Sequence, residues 1–284
     1  MQHGLCVIKN FAVSHKVKQH FYKKIMKKII INIIFLSFCF SYSQNGLVEY
    51  GYIESLGLGN AQGLDYNAIL LFDSNNSNYT SCKISLEKIE KISETKIVEK
   101  DGEVKAIFNG MGVSEEGNQV YFSSINKKLY STLFYDEMIY INDGISNNIW
   151  NITKETKYIG KVVCIKATTT FRGRDYIAWF TTEIPVPYGP WKLNGLPGLI
   201  IEAYDTDKFV YWYFKNIQYP YTKTEVVKTL TDKESEKFID YSIFKTLQEN
   251  ERKKIEEKNI IFMKENQGIE ITSPKLNEMF IECE

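Results

Sequence analysis

Histidine is missing from most of this chain: all three copies, His3, His15 and His20, fall within the first 20 of its 284 residues. Once that leading stretch is set aside, Ser-His-Asp and Cys-His nucleophile activation, histidine acid-base catalysis and histidine-ligated metal sites are all excluded. Cysteine is sparse too. Beyond residue 43 only Cys82, Cys164 and Cys283 remain, enough for one disulfide by any of three pairings, and no C-x-x-C spacing signals redox catalysis or a thiolate metal cluster. Cys164 sits inside the apolar run VVCIKA and reads as a small buried hydrophobe. Arginine occurs only at Arg172, Arg174 and Arg252 in a chain that otherwise uses lysine. No metal and no cofactor is expected.

Long hydrophobic runs are lacking as well. The longest, Ile29 to Phe40, falls short of the roughly 20 apolar residues that span a bilayer as a helix. It follows Lys27 and Lys28 and precedes Ser41 and Ser43, the basic-apolar-small order of a secretory signal. The signal is therefore assigned to residues 26–43, with residues 1–25 as an upstream mis-start and Met26 as the true start. Phe38 stands before Cys39 where a lipobox needs a small residue, so cleavage after Ser43 is expected. The product is an exported protein without a membrane span, in the periplasm, associated with the outer membrane or secreted.

The first 43 residues carry seven of the 35 basic side chains and no acid, leaving 28 basic against 35 acidic residues and a net charge of −7. That balance disfavours nucleic acid and anionic membrane surfaces, both of which need clustered positive charge.

Residues 44–284 read as a single β-rich domain. Leu47–Ile53 alternates apolar and polar, Tyr66–Phe72 is a bounded apolar run, and GLGNAQG between them is a flexible connection, only weakly like a mononucleotide loop. SNNSNYTS at 74–81 is read as a turn, and Ser85–Val98 as a short helix or a linker. Further strands are expected at Val120–Ser123, Leu129–Phe134, Met138–Ile141 and Ile149–Ile152, with Asn142-Asp143-Gly144 as a turn. Strands Lys161–Thr170 and Asp175–Thr181 flank Phe171-Arg172-Gly173-Arg174, and Leu199–Tyr204 and Phe209–Ile217 flank Asp205-Thr206-Asp207. Thr231-Asp232-Lys233-Glu234 forms a capping box, and Phe238, Tyr241, Phe244 and Leu247 follow at three-residue spacing, which places a helix at about 231–258.

The most instructive stretch is Phe171 to Asp205, FRGRDYIAWFTTEIPVPYGPWKLNGLPGLIIEAYD. Within Leu196-Pro197-Gly198-Leu199, proline suits the second position of a β-turn, and Gly198 is expected to supply the positive φ of a type II turn. The run GLPGLI, preceded by GPWKL and AWFTTEIP, resembles the signature of the GLPGLI family, exported proteins of Bacteroidota with no assigned molecular activity. The resemblance implies no catalytic residue. The expected architecture is mainly β with α: a large curved antiparallel sheet packed against a C-terminal helix, in outline like periplasmic lipoprotein carriers.

Arg172 and Arg174 either hold a carboxylate or phosphate or pair with a neighbouring acid, for which Glu183, Asp175 and Glu202 are candidates. Leu196, Pro197, Gly198 and Leu199 either fix the turn and fill the core or form an exposed tip that touches a partner. Trp179, Trp191 and Trp212, with Trp150 in the same class, either pack the core or make a stacking platform. Paired carboxylates among Glu183, Glu202, Asp205 and Asp207 are the one hydrolytic device open to such a chain. The reading expects a non-catalytic envelope protein that holds an apolar or amphipathic ligand, or a segment of an outer-membrane or envelope protein, on its curved sheet. The alternative is a structural accessory partner of an outer-membrane transporter, with a carboxylate-based hydrolase ranked below it.

Overall fold

A computed structural model describes residues 26–27, 45–56, 63–87, 97–100, 103–106, 113–135, 137–223, 227–230, 237–266, 271 and 275–284. The chain divides into two units, Met1–Ser43 and Gln44–Glu284, and everything below concerns the second. The expected signal at 26–43 lies outside the described residues except for Met26 and Lys27, as do residues 57–62 of the glycine-rich loop and residues 231–234 of the capping box. Among the described residues no helix is long and apolar enough to cross a membrane.

The strands are β1 (Gly46–Glu54), β2 (Leu64–Phe72), β3 (Asn76–Ser81), β4 (Ile97–Lys100), β5 (Glu103–Ala106), β6 (Asn118–Ser123), β7 (Lys128–Tyr135), β8 (Glu137–Ile145), β9 (Asn151–Ile159), β10 (Val162–Phe171), β11 (Arg174–Thr181), β12 (Leu199–Asp205), β13 (Val210–Gln218) and β14 (Phe238–Asp240). Among the described residues three helices join them: α1 (Ile84–Glu87), α2 (Tyr241–Glu265) and α3 (Leu276–Met279). Twelve strands form one sheet in the order β14-β8-β7-β6-β3-β2-β1-β13-β12-β11-β10-β9, antiparallel throughout except that β14 runs parallel to β8, and β4 and β5 make a separate hairpin.

This order dictates the sheet's shape. β8 and β9 are consecutive in sequence yet lie ten strand steps apart. Laid flat, they would be separated by roughly 48 Å. The link between them, residues 146–150, spans at most about 21 Å. The sheet must therefore curl enough to bring the end of β8 and the start of β9 within that reach. Side chains tie this corner together: Thr169 Oγ1 donates to Ile149 O at 2.7 Å, Ser146 Oγ to Asn194 Oδ1 at 2.8 Å, and Arg172 reaches Asp143 at 3.4 Å. The backbone ladder itself stays open, because among the described residues β9 has β10 as its one partner.

Inside the roll, alternate residues of β1, β2 and β13 point inward, with Tyr50, Leu70, Phe72 and Trp212 fully buried. The crossing segment 182–198 runs over this face and buries Ile184, Val186, Tyr188, Leu193 and Leu196 against it. Its main chain is bonded in place by Val186 N–H to Ile184 O, Gly195 N–H to Pro187 O and Ile200 N–H to Tyr188 O.

Four local expectations are corrected. Residues 76–81 form a central strand instead of a turn: Ser77, Asn78 and Ser81 are buried there between β2 and β6. Asn142-Asp143-Gly144 is no turn but a β-bulge inside β8, where Asn142 faces Tyr130, Gly144 faces Leu129 and Asp143 is the extra residue. β9 covers Asn151–Ile159, while residues 146–150 are a link. Phe238 belongs to β14 and not to the helix, and of the predicted apolar stripe only Phe244 is buried, Leu247 being 41 % exposed. Helix α2 accordingly touches the sheet through its first turns, beside β8 and β14, instead of closing one side.

Candidate functional site

The hairpin between β10 and β11 closes through Arg172 (φ +52°) and Gly173 (φ +79°), with Phe171 opposite Arg174. Positive φ at both central residues is the type I′ geometry that suits a two-residue loop between twisted strands. It points both guanidinium groups inward, and both arginines are buried.

Each arginine meets acids that local sequence does not suggest. Arg174 Nη1 lies 3.1 Å from Asp205 Oδ2, while its other nitrogens donate to the carbonyls of Asn277, Phe280 and Ile281. Arg172 lies 3.4 Å from Asp143 and 3.3 Å from Glu282, with its guanidinium 3.2 Å above the ring of Tyr241. The expected partners Glu183, Asp175 and Glu202 are engaged elsewhere: Glu183 accepts from Val163 N–H, Asp175 from Thr170 Oγ1 and Glu202 from Lys157 Nζ.

A third cation completes the cluster. Lys192, buried in the crossing segment, donates to Asp143 Oδ1 and to Glu282 Oε1, each at 2.7 Å. Asp143 also accepts from Ser131 Oγ at 2.5 Å, and the β8 bulge turns it toward these donors. Arg172, Arg174 and Lys192 thus face Asp143, Asp205 and Glu282 in a charge-balanced, water-poor cluster. Burial pushes the Glu282 carboxyl above its usual range against the pull of Lys192, and burial also raises Asp205 against the Val210 N–H bond and Arg174.

The cluster holds the C-terminal segment. Cys283 N–H donates to Arg172 O at 3.0 Å, and a Cβ on Gly173 would meet Cys283 atoms at 2.8–2.9 Å, so glycine is needed there for close approach as well as for φ.

The tryptophans do not form a surface platform. Trp212 has no exposure; it stacks on Tyr52 at 5.4 Å and on Trp191 at 5.8 Å, and its Nε1 donates to Tyr79 OH at 2.9 Å. Trp191 is half-buried at φ +52°, and Trp179 is 8 % exposed beneath Lys157, whose ammonium sits 4.4 Å from its ring. Trp150 is half-buried and donates from Nε1 to Asn194 O.

In the GLPGLI turn Leu196 and Leu199 are buried and fill the core, as the first of the two readings has it, while Pro197 faces solvent. Gly198 does not have positive φ; the left-handed residues nearby are Trp191 and Gly195. Its need for glycine is steric, because a Cβ at 198 would stand 2.1 Å from Thr181 O.

The candidate acids are not paired as a hydrolytic device: Asp205 is bound to Arg174 and Val210 N–H, Glu202 to Lys157, and Glu183 and Asp207 are exposed. A separate carboxyl, Glu54, lies buried where Tyr52 OH donates to it at 2.6 Å; burial raises it to about 7, the Tyr52 bond and Arg174 opposing the shift. The thiols are unpaired, Cys82 and Cys164 buried and Cys283 half-buried, and burial pushes Cys164 up to about 12. Among the described residues no three His, Cys, Asp or Glu side chains are grouped to hold a metal ion.

Residues 171–202, from the arginine turn to β12, match a family model described as a protein of unknown function, Porph_ging, a Bacteroidota-associated family. No curated protein matches the sequence. Among solved structures, PNGF-II in its P21 crystal form is similar at a TM-score of 0.45 and 16 % identity, over 72 % of this chain and 32 % of that one. Its C2 form gives 0.44 and 16 %, over 71 % and 32 %. The chain thus spans about a third of the length of PNGF-II.

Proposed function

We propose that this is an exported, non-catalytic envelope protein whose rolled sheet is a rigid scaffold for a segment of another envelope protein, added along the free edge of β9. The observation that carries this reading is the edge itself. β9 is nine residues long, no strand among the described residues pairs with its outer side, and it presents Tyr158 at 76 % and Ile152 at 47 % exposure beside Ile149 at 85 %. An unpaired strand edge offers a row of backbone donors and acceptors, and side chains on it supply selectivity. Arg172, Arg174 and Lys192 are already engaged with Asp143, Asp205 and Glu282, and Trp191 with Trp212, which supports a role in holding or touching over one in turnover.

The likeness to periplasmic lipoprotein carriers belongs to the same reading. The strong curvature of the sheet favours it, whereas the crossing segment packs over the inner face of β1, β2 and β13 and covers Trp212. The envelope segment is accordingly preferred over a lipid. A photo-crosslinking residue at 158, introduced in native cells, should yield a discrete adduct with one envelope protein. The same residue at exposed Tyr219, just past the end of β13, should not. No adduct at 158, or the same adducts at both positions, would remove the edge as a contact.

A further inference from the structure

We propose that the groove between the Arg172-Gly173 turn and Lys192 is a binding site for an extended acidic peptide, and that residues 275–284 occupy it as an exchangeable strap. The bonds that hold the strap show what the groove reads. Arg174 takes the carbonyls of Asn277, Phe280 and Ile281, and Arg172 O receives Cys283 N–H. Three of them, on Phe280, Ile281 and Cys283, are main-chain groups that any extended peptide offers, while Asn277 O belongs to the helical turn α3. One side chain is read by charge: Glu282, by Lys192 and Arg172. One is read by packing: Ile281, against the edge of the core.

The groove is built without the strap. Arg174 is fixed by Asp205, Lys192 by Asp143, and Arg172 by Asp143 and the Tyr241 ring. With Glu282 withdrawn, Arg172 and Lys192 face Asp143 alone, and the buried pocket carries one uncompensated positive charge. A desolvated excess charge selects a carboxylate in that position. Gly173 sets the depth: the peptide backbone rests where its Cβ would be. The ligand class is therefore an extended segment with an apolar residue followed by an acid, as in Phe280-Ile281-Glu282. None of the β9 side chains takes part, so this site and the edge are tested separately.

The test uses the full chain and a labelled synthetic peptide of residues 275–284 with serine in place of Cys283. In a Glu282→Gln protein the weakened strap should yield to the peptide, giving saturable anisotropy binding at least about tenfold tighter than to the unaltered protein, and a peptide with glutamine at 282 should bind about tenfold more weakly. No saturable binding to the Glu282→Gln protein, or equal binding of the two peptides, overturns the proposal. A second measurement does not depend on that variant folding well. In the unaltered protein, excess acidic peptide should speed alkylation of Cys283 about threefold or more without changing Cys82 or Cys164, since local opening frees only the strap. Alkylation of Cys82, Cys164 and Cys283 at one common rate, indifferent to peptide, would show that the strap never leaves on its own.

Discussion

Replacing Gly198 with alanine tests why the GLPGLI turn needs its second glycine. The added methyl would stand 2.1 Å from Thr181 O, 2.8 Å from Thr181 C and 3.2 Å from Phe180 Cδ2. Neither side can give way easily. Thr181 closes the β11–β12 ladder opposite Leu199, and the amides of Leu199 and Ile200 are bonded to Ile184 O and Tyr188 O. Overpacking costs typically about 1–3 kcal/mol, and a clash with fixed backbone belongs at the upper end. For a domain of this size about 3 kcal/mol corresponds to a fall in Tm of roughly 6–12 °C. Asparagine separates sterics from backbone conformation, because it tolerates positive φ better than alanine does. At Gly195, which has φ +92° and nothing closer than 3.9 Å, asparagine should be milder than alanine. At Gly198 asparagine should be at least as harmful as alanine. Thermal melts followed by circular dichroism read all four variants. A Gly198→Ala shift under about 2 °C, or clear rescue by Gly198→Asn, would refute the close-approach argument.

Two further outcomes follow from the buried charges. Lys192→Met leaves Asp143 and Glu282 sharing Arg172, so unfolding free energy from urea titration should drop by about 3–5 kcal/mol; a loss below about 1 kcal/mol would mean that water reaches the cluster. Glu54 has its folded-state pKa raised from 4.5 to about 7. Below pH 4.5 the carboxyl is protonated in both states, whereas between 4.5 and 7 it ionises in the unfolded chain first, so stability falls as pH rises through that window. The loss attributable to this group is at most about 3 kcal/mol. Glu54→Gln should flatten the urea midpoint between pH 5 and 8, and an unchanged slope would place the titration elsewhere.

Much of the sheet was legible in the sequence wherever one face is buried and the other wet. β1, β2 and the β10–β13 meander have that alternation or an apolar run, and the glycine of Arg172-Gly173 marks its turn. β3 and β9 were not legible, for opposite reasons. β3 buries Ser77, Asn78 and Ser81 in the middle of the sheet, so its polarity imitates a turn; β9 is an edge strand wet on both faces, so it has no period. The site was half legible. Arg172 and Arg174 stood out because arginine is rare here, but their partners Asp143, Asp205 and Glu282 are 29, 31 and 110 residues away. No local pattern connects such positions; only the roll of the sheet brings them together. Lys192 lay within a recognised motif yet looked like one lysine among many, and its burial is a tertiary fact.

The pairing of β1 with β13 joins Leu47 to Gln218 and sets the first strand beside one of the last in the middle of the sheet. A chain emerging from its N-terminus cannot complete its centre until some 170 residues more have arrived, a separation that slows the search for native pairings. Until then β1 is paired on its β2 side alone, at the margin of a half-sheet that β2, β3, β6, β7 and β8 complete by residue 145. The slow step this topology sets is therefore the joining of two halves, residues 46–145 and 151–218, each built from strands that neighbour one another along the chain.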